Sequence, residues 1–140
     1  MNAFPTKILL ATDGSADALS AAAAADVSRG TGSELHIVHV LPPFPRHAYT
    51  GVTPETHSYV RDKSYEVAHQ LLAEQAGRIE DFGGTVTETH ERRDRPADEI
   101  LDLAQGIGPG LILMGSRGLG PVKRRLLGSV AEGVVHHASC

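Results

Sequence analysis

The chain has 140 residues, 41% of them hydrophobic and 21% charged, the balance of one ordinary globular domain rather than of a disordered chain. Thirteen basic against seventeen acidic residues leave a net charge of −4, so no general basic surface points to nucleic acid, and a single cysteine, Cys140, excludes an internal disulfide or a multi-thiolate metal site. Met1–Lys7 lacks the apolar core of a secretory leader and no apolar stretch approaches the ~20 residues of a membrane span; one soluble domain over residues 1–140, cytoplasmic and without a membrane partner, is expected.

Lys7–Thr12 (KILLAT) is a short continuous apolar run, the pattern of a parallel strand buried on both faces. Asp13-Gly14-Ser15 supplies capping chemistry for an alanine-rich helix over Ala16–Ser28, stopped near Gly30. Glu34–Leu41 (ELHIVHVL) reads as the second strand, closed by Pro42-Pro43 and followed by a loop to about Thr56. Tyr59–Phe82 is a long helix with Val60, Val67, Leu71 and Ile79 among its apolar positions, ended by Gly83-Gly84. Thr85–His90 alternates in a polar way, so the third strand belongs near an edge. Pro96 suits the first turn of the next helix and Asp98 and Glu99 suit its dipole; Ala97, Ile100, Leu101 and Ala104 form its core stripe. Leu111–Met114 is the fourth strand, and Ser129 opens a last helix with Ala131, Val134, Val135 and Ala138 on one face.

Strands alternating with helices imply parallel pairing with right-handed crossovers, hence an open, doubly wound α/β sheet with helices on both faces. Ligands of such sheets bind beyond the carboxyl ends of the strands, where the strand order reverses. Two strands end in unusual sequences: the first in Thr12-Asp13-Gly14, the fourth in MGSRGLGPVKRRLLGSV, residues 114–130. The second stretch concentrates four glycines and four basic residues. It fits neither a P-loop nor a dinucleotide fingerprint, because Pro121 and Val122 follow Gly120.

Its spacing is Gly115, two residues, Gly118, nine residues, then Gly128-Ser129, that is G-x2-G-x9-G-[ST]. Gly115 and Gly118 let backbone N–H groups approach phosphate oxygens closely. Leu119–Leu127 forms a flap carrying Lys123, Arg124 and Arg125, and Gly128-Ser129 returns the chain to a helix N-terminus, where free N–H groups and the dipole favour an anion.

This spacing resembles the nucleotide-binding signature of the universal stress protein family, in its ATP-binding branch. The likeness runs over essentially the whole chain, through Thr12-Asp13-Gly14-Ser15, His39-Val40, Arg95-Pro96-Ala97 and Met114-Gly115-Ser116-Arg117-Gly118. It implies a Rossmann-like fold of the adenine nucleotide alpha hydrolase type and an ATP-binding regulator of the stress response, holding ATP with Mg2+. By resemblance, Ala11, Thr12 and Asp13 lie near the adenosine moiety and Val40 contacts adenine. Met114, Gly115, Arg117 and Gly118 belong to the signature, and Gly128, Ser129 and Val130 lie at the phosphates. Asp13, an acceptor only, would bind adenosine donors or a divalent cation rather than phosphate. The resemblance also implies a homodimer, commonly built in the family on a fifth apolar strand. This sequence stops at His136-His137-Ala138-Ser139-Cys140, where that strand would begin. The apolar fourth strand is therefore expected to need a further strand or a partner chain along its outer edge.

Plainer readings exist for several of these residues. Ser129 with Glu132 is also a capping box, and Asp13-Gly14-Ser15 can be a simple helix cap. Lys123–Arg125 can be a solvated face, with at most one member touching phosphate. Other functions remain open at this point: a slow ATPase or phosphoryl-transfer protein, a cyclic AMP or AMP binder, or an interaction module without nucleotide. No catalytic residue stands out, so occupancy rather than turnover is expected to be the signal. Of the eight histidines, His36 and His39 point to opposite faces of a strand, His136 and His137 do not converge, and His47 and His57 lie in a loop. On that spacing no metal site is expected among the side chains, and Cys140 makes no case for a nucleophile.

Overall fold

A computed structural model describes residues 6–12, 18–41, 43, 51–114 and 129–140. The elements run β1 (Lys7–Thr12), α1 (Ala18–Thr31), β2 (Glu34–Leu41), α2 (Pro54–Asp81), β3 (Glu88–Arg93), α3 (Pro96–Ile107), β4 (Leu111–Met114) and α4 (Ser129–His137). The four strands form one parallel sheet in the order β3-β2-β1-β4. Among the described residues, no helix is long and apolar enough to cross a membrane.

The alternation of side chains along each strand divides the interior in two. Ile8, Leu10, Leu35 and Ile37 pack with Ala21, Ala24 and Ala25 of α1 and Leu72 and Ile79 of α2. Leu9, Ala11, Val38 and Val40 point the other way, onto Ile100 and Leu103 of α3 and Val134 of α4. A strand apolar at every position is therefore what two covered faces require. The alanines of α1 recur at the spacing of one helix face and let the helix lie close to the sheet.

Four expectations need correction. The second helix starts at Pro54, not Tyr59: Thr53 Oγ1 accepts the N–H of Thr56 at 3.2 Å and Pro54 takes the first helical position. Its buried face is Ala68, Leu72, Gln75 and Ile79, whereas Val60 and Val67 are exposed. At ~1.5 Å per residue the helix outreaches the sheet, so Val60 has little to cover, whereas Val67 lies alongside β3 but turns away from the buried face that Ala68 begins. The third strand spans Glu88–Arg93 rather than Thr85–His90. It does lie at an edge, but its register is set by β2, from His36 opposite Glu88 to Leu41 opposite Arg93; a strand polar on both faces carries no register signal of its own. In α4, Val134 is buried and Val135 is exposed, while the side chain of Ala131 lies outside the described residues. The first helix is described from Ala18 and continues to Thr31, with Gly32 at φ 67°.

The stripe of α3 packs as expected, with Leu103 added to it. Among the described residues β4 pairs with β1 alone, and Leu111–Met114 are half-buried.

Candidate functional site

The strand order locates a crevice. From β1 the chain moves outward to β2 and β3, then crosses to β4 on the opposite flank of β1. The order reverses between β1 and β4, and in parallel sheets the carboxyl ends of such a pair diverge to leave room for a ligand. Thr12 ends β1 and Met114 ends β4, with Ala11 opposite Met114 in register. Ser129 is the first residue of α4.

Six of the eleven residues singled out from the sequence fall within the described part of the chain. Ala11 and Val40 are buried members of the cluster on the α3–α4 face, and Met114 and Val130 pack against it. Three strands and one helix thus bring these four side chains onto one apolar wall. Thr12 alternates to the other face and is half-buried. Beside it the buried His39 turns Nδ1 toward the Thr12 carbonyl at 3.4 Å, which makes Nδ1–H the donor. Ser129 contributes the backbone that opens α4, and Glu132 is exposed in the first turn of that helix. Asp13, Gly115, Arg117, Gly118 and Gly128 lie outside the described residues, as do the side chain of Ser129 and the basic run Lys123–Arg125. A separate cleft of about 340 Å³ opens between α3, Gly108-Pro109 and Ala138–Cys140, at the amino end of β4. It contains none of the singled-out residues.

A second group of side chains sits on β2 and β3, toward their amino ends. Glu34 and His36 are two apart on β2, as are Glu88 and His90 on β3, so both pairs face the α3–α4 side. His36 is buried, and its Nε2 lies 3.2 Å from Glu34 Oε1. A carboxylate only accepts, so Nε2 carries the proton and Nδ1 is left with its lone pair. That lone pair faces His90 Nε2 at 3.1 Å, so His90 Nε2–H donates to it. The ring centroids are 5.4 Å apart and the planes differ by 21°; with nitrogens in contact at that separation, the rings meet edge to edge. Glu88 Oε1 completes a triangle, 3.7 Å from His36 Nδ1 and 3.5 Å from His90 Nε2. Burial lowers the pKa of His90 below its ordinary value; Glu88 opposes the shift, and His36 and Arg92 add to it.

Taken strand by strand, the histidines did not reveal this group. Two Glu-x-His triplets on neighbouring strands were the available signal, legible only once the pairing of β2 with β3 was known. The opposite face of β3 is tied to α2: His69 pairs with Glu91 at 3.1 Å, Arg93 donates to Ser64, and its guanidinium lies 4.8 Å from the Tyr65 ring.

A doubly wound parallel sheet whose strand order reverses between β1 and β4, with a glycine-spaced segment following β4 in the sequence, places the protein among the α/β folds that bind ligands at such a reversal. Its family is specific: the chain belongs to the universal stress protein family, whose family model matches residues 5–140. A universal stress protein of Thermus aquaticus, from the QAH/OAS sulfhydrylase 3' region, is 34% identical over 139 residues, covering 95% of this chain and 93% of the relative. Universal stress protein UspA from Lactobacillus plantarum superposes with a TM-score of 0.79 at 26% identity, over 99% of this chain and 96% of that one. A universal stress protein from Archaeoglobus fulgidus, solved in complex with dAMP, superposes with a TM-score of 0.65 at 25% identity, over 99% and 94% of the two chains.

Proposed function

We propose that this protein binds an adenine nucleotide, ATP with Mg2+, at the carboxyl ends of β1 and β4, and acts as a nucleotide-responsive regulator of the stress response in the cytoplasm. The observation that carries the reading is the apolar wall of Ala11, Val40, Met114 and Val130, set beside the β1–β4 reversal and joined to the G-x2-G-x9-G-[ST] segment. A purine ring needs such a wall, with polar groups at its margin for orientation. In this reading adenine lies against Val40, Thr12 and Asp13 hold the adenosine end, and phosphates meet the amides around Gly115, Gly118 and Gly128-Ser129. Arg117 contributes charge to the phosphates. Mg2+, when bound, would neutralise phosphate charge, with Asp13 the nearest carboxylate in sequence to that position. The dAMP complex of the Archaeoglobus fulgidus relative supports an adenine nucleotide as the ligand class. Pairing along the outer edge of β4, by a further strand or by a second copy in a homodimer, belongs to the same reading.

Calorimetry with ATP tests it. Gly118→Val and Gly128→Val place side chains where backbone must approach phosphate, and each is expected to abolish binding while circular dichroism shows the fold intact. Wild-type affinity in either variant would move the nucleotide elsewhere.

A further inference from the structure

The Glu-x-His pairs of β2 and β3 have no part in the nucleotide reading. They sit at the other end of the sheet, since His36 and Val40 are four residues apart on one strand, ~13 Å at ~3.3 Å per residue. Two imidazoles and a carboxylate meet there, in a cluster whose ligand atoms all lie within 4.8 Å of one another. Burying His36 and half-burying His90 with their ring nitrogens turned together gives up hydration that leucine or valine would not need, so the arrangement calls for a reason.

The geometry points to a zinc site formed by His36 Nδ1, His90 Nε2 and Glu88 Oε1, with Glu34 orienting His36 from behind. The three ligand atoms are 3.1, 3.5 and 3.7 Å apart. Ligands in tetrahedral contact with zinc stand ~3.3–3.6 Å apart, given bonds of ~2.0–2.2 Å. A point equidistant from all three atoms at a bond length of ~2.1 Å lies about 0.6 Å out of their plane, close to the position of an ion seated on one face of its tetrahedron. The fourth position opens to solvent on the side of Glu88, whose side chain is 60% exposed, and takes a water. Glu34 accepting from His36 Nε2–H is the carboxylate–histidine pairing that sets the tautomer and leaves Nδ1 for the metal.

Binding requires one proton to move. His90 Nε2–H now donates to His36 Nδ1; zinc takes both nitrogen lone pairs, the His90 proton moves to Nδ1 of the same ring, and both rings turn to aim off the N···N line. Two imidazole nitrogens favour zinc over magnesium or calcium, which prefer all-oxygen shells. The ion would clamp the polar edge strand to β2, whose register it lacks the apolar residues to fix by itself.

The experiment is a titration of the full chain, without nucleotide, by Zn2+ against a chelator of known affinity, and by Co2+ read through its visible absorption. One ion per chain is expected, with the intense bands of four-coordinate cobalt and a raised melting temperature in zinc. His90→Gln and Glu88→Gln should each weaken Zn2+ by tenfold or more, and Glu34→Gln by about tenfold. The double change His136→Gln with His137→Gln should leave the affinity as it was. Because the Glu88 side chain is exposed, Glu88→Gln reads the site even where a histidine variant is less stable. Unchanged affinity in Glu88→Gln, absence of any binding, or loss of binding on changing His136 and His137 would each overturn the assignment.

Discussion

Gly84 ends the turn between α2 and β3, and a methyl group added there has nowhere to go. Its Cβ would stand 2.8 Å from Ile79 Cγ2 and 3.0 Å from both Cα and Cβ of Ala25. Ile79 and Ala25 are fully buried, and one of the three atoms is backbone, so no flexible side chain can step aside. Overpacking of this kind costs about 1–3 kcal/mol. Opposing it, alanine restricts the unfolded chain and returns about 0.4–1 kcal/mol, because Gly84 does not need a positive φ. Gly84→Ala should therefore lose about 1–2 kcal/mol, a fall in melting temperature of roughly 3–8 °C for a domain of this size. Urea unfolding followed by circular dichroism measures it. The same turn sets the start of β3, through Gly84 N–H donating to Ile79 O at 2.9 Å and Thr87 N–H to Leu35 O at 2.8 Å. A shift at Gly84 should thus reach His90 and Glu88 and weaken zinc as well. A variant as stable as the parent would refute the packing argument.

Gly133 faces Ala97, where an added Cβ would lie 3.0 Å from the Ala97 Cβ; Gly133→Ala should cost about 1 kcal/mol, and adding Ala97→Gly should lower that penalty in a double-mutant cycle. Asp13→Ala should weaken ATP yet leave inorganic triphosphate nearly unaffected in calorimetry, and equal losses for both ligands would remove Asp13 from the adenosine end. Phosphate release should be negligible, since backbone amides position a polyphosphate without activating water; sustained turnover in the ~1–100 s⁻¹ range of kinases would promote the enzyme reading.

What could be read from the sequence alone was whatever repeats within one element. Lys7–Thr12, Glu34–Leu41 and Leu111–Met114 have the bounds expected of them because a strand covered on both faces is apolar over most of its length, with His36 and His39 the buried exceptions in β2. The starts of α4 at Ser129 and of α3 at Pro96 are those expected, the second from the fixed φ of proline, a local effect. Alternating elements imply a parallel sheet, and the glycine spacing after β4 marks its segment without reference to any contact. Tertiary structure decided the rest. Glu88–Arg93 is charged or polar at every position, so its register came from β2, three residues from where alternation had set it. Val60 and Val67 keep helical spacing but neither faces the core, and only the packing of α2 on the sheet, whose buried face is Ala68, Leu72, Gln75 and Ile79, shows it. The convergence of Ala11, Val40, Met114 and Val130 and the meeting of His36, Glu88 and His90 both join residues far apart in the chain. Periodicity is a property of one segment, whereas these groups exist through the order and register in which segments pair.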